Sequence, residues 1–243
     1  MGQLENKTAL VTGASAGIGL AAACRFAAEG AHVFITGRRK PELDAAAAQI
    51  GSNATAVQGD VANLDDLDHL VELIAQRGNG LDVVFANAGS GTFAVLGDIT
   101  LDQLNDTVAT NLRGTVFTVQ KTLPLLNDGA SIVLAGSSSA TNGTPGFGIY
   151  AATKASIRSL GRTWAAELAS RGLRVNTIIP GPTDTPGISG LGPELLAAIA
   201  SNVPLGRLGA PDEIASAVLF LASPQSSFMT GSEIFIDGGV EQI

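Results

Sequence analysis

One tyrosine stands in this chain, Tyr150, and Lys154 follows it four residues later. In a helix that spacing puts both side chains on one face. A phenol holds its proton at neutral pH, but an ammonium beside it favours the phenolate, so the pair can serve as an acid/base device. Ser137 precedes Tyr150 and follows an apolar, strand-like run, Ser131 to Ala135, so its hydroxyl is expected at a strand end, within reach of the same reacting oxygen. The stretch from Gly136 to Leu160 is therefore the expected chemical centre, and the other elements are read for how they position it.

Upstream, Lys7 to Thr12 is a short apolar run that stops at Gly13, and Ile18 to Gly30 has helical, alanine-rich spacing. Between them, Gly13, Gly17 and Gly19 permit a tight bend, close backbone approach to a pyrophosphate and close helix packing, with Ser15, Ala16 and Ile18 completing the turn. The helix N-terminus would face the phosphates; taken alone, such a turn serves tight packing equally well. After the next strand, His32 to Thr36, a dinucleotide fold usually carries an acid for the ribose hydroxyls, whereas this chain reads Gly37, Arg38, Arg39. A missing carboxylate and added guanidiniums favour NADP(H) over NAD(H).

A helix from Pro41 to Ile50 leads to the strand Ala54 to Gln58 and then to Asp60 and Val61. Asp60 has two readings, an acceptor for the adenine amine with Val61 packed on the ring, or a cap for the helix Leu64 to Arg77. The buried strand Leu81 to Ala86 runs into Asn87, Ala88 and Gly89. A long helical pattern covers Leu101 to Leu126 with its end near Pro124, and Asn111 lies inside it, where an Asn bonds locally or bends a helix. The helix from Ile149 carries a core stripe of Ile157, Leu160, Trp164 and Leu168. The strand Leu173 to Ile179 ends at Pro180, Gly181 and Pro182; residues 183–208, rich in Gly and Pro around one short helix beginning at Pro193, are the expected mobile lid. A helix from Pro211 to Ala222 and a strand from Glu233 to Asp237 complete seven strands. Their alternation with helices predicts an α/β fold, a doubly wound seven-stranded parallel sheet with helices on both faces, Rossmann-like, in a single domain.

Composition narrows the partners. A net charge of −8 argues against nucleic acid or an acidic membrane, and no apolar run reaches a membrane span. One cysteine, Cys24, forms no internal disulfide, the opening residues lack a signal-peptide pattern, and the cytoplasm is the expected compartment. His32 and His69 are isolated, so no metal is expected.

Along essentially its whole length the chain resembles the short-chain dehydrogenase/reductase family, in its single-domain branch. It carries that family's TGxxxGxG turn at Thr12 to Gly19, its NAG at Asn87, Ala88 and Gly89, its YxxxK at Tyr150 and Lys154, its serine at Ser137, its asparagine at Asn111, and its PGxxxT cofactor loop at Pro180, Gly181 and Thr185. Ala86 departs from the usual NNAG, and Thr183 stands where a branched aliphatic residue is common. The resemblance implies hydride transfer from NADPH to a carbonyl carbon, with Tyr150 protonating the oxygen and Ser137 positioning it. It also implies that Lys154 serves both the phenol and the nicotinamide ribose, that Asn111 holds a proton-returning water, and that Thr183 and Thr185 line the cofactor site. A homotetramer is implied, with the helices carrying Arg113 to Thr122 and Arg158 to Ala169 at its interface.

The leading functional reading is an NADPH-dependent carbonyl reductase, reversibly an alcohol dehydrogenase, for a small or medium uncharged ketone. The expected pocket is formed by Ser90 to Phe93, Thr141 to Phe147 and Ile188 to Leu195, where Phe93, Phe147 and Leu191 are apolar and Glu194 is the only charge. A carboxylate substrate would call for an Arg or Lys clamp. Reduction of 3-oxoacyl thioesters is the alternative enzyme reading. It is weakened by a lid whose only base is Arg207, although Arg113, Lys121, Arg158, Arg162 and Arg171 offer basic groups elsewhere. A non-catalytic NADP(H) sensor is the alternative of a different class.

Overall fold

The computed structural model describes residues 2–241 and 243. Its seven strands are β1 (Thr8–Thr12), β2 (His32–Gly37), β3 (Ala54–Gln58), β4 (Leu81–Ala86), β5 (Leu126–Ala135), β6 (Arg174–Pro180) and β7 (Glu233–Ile236). They form one parallel sheet in the order β3-β2-β1-β4-β5-β6-β7. Side chains alternate between its faces with the period of two that a strand imposes. Ala9, Val11, Val33, Ile35, Val83, Phe85 and Val133 enter one core, whereas Leu10, Phe34, Val84, Ile132 and Leu134 enter the other.

The first core is covered by α1 (Gly17–Ala28), α2 (Lys40–Ile50) and, later in the chain, the helix Pro211–Ala222; the second by α3 (Leu64–Arg77) and the helices Gly114–Thr122 and Gly148–Leu168. The expected doubly wound, single-domain Rossmann-like fold is what the chain forms. The order reverses between β1 and β4, so the loops after these strands diverge and open a crevice at their carboxyl ends, the place where open α/β sheets bind ligands.

The pattern from Leu101 to Leu126 is not one helix. It divides into α4 (Leu101–Val108), a π-helical turn (Ala109–Arg113) and α5 (Gly114–Thr122), with a 3-10 turn at Leu123–Leu125. β5 then begins at Leu126, earlier than the Ser131 expected from the apolar run, because Leu126 still pairs with Leu81 before the register shifts ahead of Val83. In α6 (Gly148–Leu168) the buried residues are Thr153, Lys154, Ile157, Gly161 and Ala165, flanked by half-buried Leu160, Trp164 and Leu168. The helix axis comes too close to the sheet for large residues at its centre, since a Cβ on Gly161 would stand 2.6 Å from Thr177 Oγ1. After β6 come α7 (Pro186–Ser189), a short helix that the Gly/Pro-rich composition hid, α8 (Pro193–Ser201) and α9 (Pro211–Ala222).

Among the described residues, no helix is long and apolar enough to cross a membrane.

Candidate active site

β5 delivers the chain to Ser137. Gly136 lies against β6, where a Cβ would come within 2.9 Å of Ile178 O, so the strand is seated before the serine departs from it. Ser137 is 9% exposed, and its Oγ accepts the Ser139 N–H at 3.2 Å while donating to no acceptor among the described residues. The 3-10 turn that follows, Ser138–Ala140, packs against α6.

Tyr150 and Lys154 occupy the beginning of α6 on one face, with Lys154 Nζ 5.7 Å from the centre of the phenol ring. Lys154 is 5% exposed and donates to Ala135 O at 2.8 Å; no described carboxylate lies within ion-pairing distance. A buried ammonium satisfied by one carbonyl retains two N–H donors and an uncompensated charge, an arrangement that costs stability unless a ligand completes it. Gly89 lies beside it, where a Cβ would stand 3.2 Å from Nζ.

Asn111 sits in the π-helical turn, 1% exposed. Its Oδ1 accepts the Ser90 N–H at 2.8 Å, and its Nδ2 donates to Ser90 O at 2.8 Å and to Thr153 Oγ1 at 3.0 Å. Thr153 in turn donates to Tyr150 O at 2.7 Å. One amide thus braces the loop after β4 to the first turn of α6. Thr153 escaped the sequence reading and Ser90 entered it only as part of the expected pocket, because their bracing role lies in distant partners that no local spacing reveals.

The glycine turn after β1 is shaped by what its missing Cβ atoms leave open. Gly13 and Gly17 adopt φ of 64° and 57°, and a Cβ on Gly19 would stand 2.4 Å from Gly13 O. α1 has no side-chain cap, so the first-turn N–H groups beside Ser15, Ala16, Gly17 and Ile18 point out of the helix start. Asn87 stitches this turn to β4 by donating Nδ2–H to Thr12 O and Gly13 O at 3.0 and 3.2 Å. Thr12 Oγ1 accepts from the N–H groups of both Asn87 and Ala88 at 3.0 Å. Thr12 was legible only as a letter of the motif; its hydroxyl holds the two diverging loops together.

At the far end of the crevice, Gly37 lies beside Ser15, where a Cβ would be 3.3 Å from Ser15 Oγ. Arg38 and Arg39 are 64% and 61% exposed, 3.8 Å from Asp60 and 3.3 Å from Glu42 respectively. The cap of α3 is Asn63, whose side chain accepts the Asp65 N–H, so the capping alternative for Asp60 fails; Asp60 Oδ1 instead accepts the Ala62 N–H at 2.9 Å. Val61 is buried against α5, where a Cβ on Gly114 would stand 2.7 Å from its Cγ2.

The loop after β6 returns to the glycine turn. A Cβ on Gly17 would be 3.1 Å from Thr185 Cγ2, Gly181 packs on Asp237, and Thr183 Oγ1 donates to Gly181 O at 2.9 Å. The segment that follows Pro180 is pinned at its neck by Asp184 N–H to Gly209 O and Gly209 N–H to Pro182 O, both 2.9 Å. The crevice thus gathers Ser137, Tyr150, Lys154 and Asn111 at one end, with the glycine turn, the NAG loop and the Pro180 loop beside them, and the Arg38 region at the other. His32 and His69 stand apart. His32 pairs with Thr55 Oγ1 at 2.9 Å, and burial, then Arg77, pushes its imidazole down; no described residues form a metal-binding cluster.

Comparison with known proteins accords with this architecture. The family model described as enoyl-(acyl carrier protein) reductase matches residues 13–241. An oxidoreductase of Sarocladium schorii is 48% identical over 99% of this chain and 98% of its own. A 3-oxoacyl-[acyl-carrier-protein] reductase of Thermotoga maritima is 37% identical over 98% of this chain and 99% of its own. A solved short-chain dehydrogenase/reductase from Brucella melitensis, described as a glucose/ribitol dehydrogenase, superposes with a TM-score of 0.95 at 35% identity, covering 100% of both chains. The chain belongs to the short-chain dehydrogenase/reductase family. It is an oxidoreductase, and membership implies a nicotinamide dinucleotide as its cofactor.

Proposed function

We propose that this chain is an NADP(H)-dependent carbonyl reductase, running reversibly as an alcohol dehydrogenase on a small to medium uncharged ketone. The observation that carries the reading is the buried Lys154 ammonium, paired with no carboxylate among the described residues, beside the ring of the only tyrosine. A structural lysine would be neutralised, whereas a lysine serving a phenol and a bound ribose keeps donors in reserve.

The residues present fit a dinucleotide. Positive φ at Gly13 and Gly17 and the contact at Gly19 leave a backbone cradle that side chains would fill, and an uncapped helix start suits a pyrophosphate. Ser15, Arg38 and Arg39 would hold a 2′-phosphate beside Gly37, Asp60 and Val61 the adenine, and Ala88, Gly89, Pro180, Gly181, Thr183 and Thr185 the nicotinamide half. When bound, the dinucleotide supplies the hydride for the carbonyl carbon.

The chain's own groups manage the oxygen. Tyr150 gives its proton to it as charge develops, the Ser137 O–H donates to it, and Lys154 offsets the charge left on the phenol. Because the Asn111 side chain is already committed to Ser90 and Thr153, a proton-returning water here would hang from the Asn111 main-chain carbonyl, which also accepts Thr115 Oγ1–H at 2.7 Å.

The substrate side is apolar. Phe93 and Phe147 line one flank, and Leu191 and Leu195, 46% and 49% exposed, stand on the segment 183–208 that we take to be the lid. Reduction of 3-oxoacyl thioesters is the second reading, favoured by the Thermotoga maritima relative. Against an acidic carrier, the basic groups are occupied. Arg158 and Arg162 pair with Glu233, Lys121 with Asp68 and Arg207 with Glu213, while Arg113 and Arg171 donate to main-chain carbonyls. A homotetramer through α5 and α6, in the cytoplasm, belongs to the same reading, and light scattering on the purified protein tests the assembly.

The deciding experiment assays aryl ketones, aliphatic ketones, oxoacids and oxoacyl thioesters with NADPH and NADH. Fastest turnover per KM is expected for an aryl ketone with NADPH; equal use of NADH, or preference for an oxoacid, defeats the assignment.

A further inference from the structure

Tyr150 lies in the first turn of α6, where backbone hydrogen bonding restrains a residue least. Thr153 pins its main chain, but that bond fixes no side-chain torsion. The ring is held from outside the helix. Gly91 presses on one side, since a Cβ there would be 2.8 Å from Tyr150 Cδ2. Phe147, the residue at the N-terminal boundary of α6, meets the phenol edge to face, 6.1 Å between centroids at 79°. Phe93 meets Phe147 the same way, at 6.1 Å and 76°.

The chain of three rings is clamped at its outer end. Gly146 has φ 81°, and a Cβ there would fall 2.1 Å from Phe93 Cε2, so the Phe93 ring rests directly on the Gly146 backbone. Beside it the Ala94 N–H donates to Gly146 O at 2.9 Å. The loop after β4 and the loop before α6 therefore close on each other through Phe93, and the contact runs inward to the phenol. Phe93 remains 66% exposed, an uncommon state for a large aromatic with a packing duty, and its free face looks outward.

We propose that Phe93 and Phe147 are positioning residues for Tyr150. Their edge-to-face contacts, locked over Gly146, hold the phenol in the orientation from which it transfers its proton, so an apolar flank of the pocket also sets the rate of the proton step. This rests on the reading of Tyr150 as proton donor.

The test exploits the single tyrosine, since protein labelled with fluorotyrosine gives a fluorine NMR signal from Tyr150 alone. Phe147→Leu and Phe93→Leu should shift or broaden that signal. They should also lower kcat by about 2- to 10-fold, the rate equivalent of a lost aromatic pair, for a small aliphatic ketone and an aryl ketone alike. KM for the small ketone should stay unchanged, and Phe93→Trp, which keeps a ring over Gly146, should restore both signal and rate. An unmoved signal, with KM rising for the aryl ketone only, would overturn the proposal and leave the two rings as a substrate wall. Should the wild type reduce neither ketone while the substitutions still move the signal, carbonyl reduction fails as the function and the ring-holding role stands.

Discussion

The two ends of the crevice are built to opposite standards. At the Tyr150 end, Asn111, Ser137, Thr153 and Lys154 are all buried, the Asn111 amide bridges to the Thr153 hydroxyl of α6, and the Lys154 ammonium is tied to β5. At the Arg38 end, the guanidiniums are about two-thirds exposed on loose ion pairs with local carboxylates. On the proposed mechanism, proton transfer depends on geometry held to a fraction of an ångström, which groups fixed before substrate arrives would supply. The proposed recognition of one phosphate would need only charge within reach, which long exposed side chains can supply without a rigid frame. Substitutions at the first end should therefore abolish turnover, whereas those at the second should exchange one cofactor for another.

The largest expected effect breaks the first end. Tyr150→Phe should lower kcat by about 10²- to 10⁴-fold, the usual worth of a positioned acid, with the fold and dinucleotide affinity retained. Stopped assays and fluorescence titration with NADPH check both halves, and substantial residual turnover would remove Tyr150 from the mechanism. Next, Gly19→Ala should cost about 1–3 kcal/mol of stability, as overpacking does, because its methyl meets Gly13 O and the Asn87 side chain. Chemical denaturation measures this, and an unchanged midpoint would mean that the turn yields more readily than its contacts suggest.

At the other end, Gly37→Asp should invert cofactor choice, with the ratio of kcat/KM for NADPH over NADH falling about 100-fold, or about 3 kcal/mol. The new carboxylate would stand beside Ser15 and repel a 2′-phosphate. A ratio that does not move would place the phosphate elsewhere.

The smallest effect concerns the neck of the segment 183–208. The Arg207 hydrogen bond, then the Ala210 N–H, hold the Glu213 carboxyl down at about 2, below its ordinary 4.5. A carboxyl lowered in the folded state stabilises above its unfolded value and loses that contribution as pH falls through the folded one. The melting temperature of Glu213→Gln should thus lie slightly below wild type at neutral pH, with the gap closing between about pH 4.5 and 2. Both groups are exposed, so a gap that persists unchanged in high salt would contradict an electrostatic origin.

Much of this fold was legible because its signals are local. The bounds of β3, α3, β4 and α9 follow directly from apolar periodicity and flanking turn residues. What stayed hidden depends on partners far along the chain. Asp60 and Asn63 are both good capping residues near α3, and the helix uses the nearer one. Residues 126–130 look like a loop, since Asn127, Asp128 and Gly129 disfavour strands, yet β5 begins at Leu126, which pairs with Leu81 of β4 ahead of an irregularity that ends at Ser131. Leu160, Trp164 and Leu168 marked a stripe correctly but lie at its flanks, because Gly161 brings α6 too close to β6 for large side chains between them. At the site, residue types and motif spacing pointed to the positions, while the braces through Thr12, Ser90 and Thr153 became visible only in three dimensions.

The π-helical turn at Ala109–Arg113 has a further consequence. An α-helix advances about 100° per residue, and a π turn behaves as one inserted residue, so α4 and α5 are out of phase across it. Asn111 apart, side chains here are negotiable; chain length is not. Deleting any one residue between Ala109 and Arg113 would let a continuous helix re-form, swing the outer faces of α4 and α5 relative to each other by roughly a quarter-turn, and carry Asn111 away from Ser90 and Thr153. Families of this chain's descendants should therefore keep Asn111 and remain constant in residue count through this stretch, while its other positions vary.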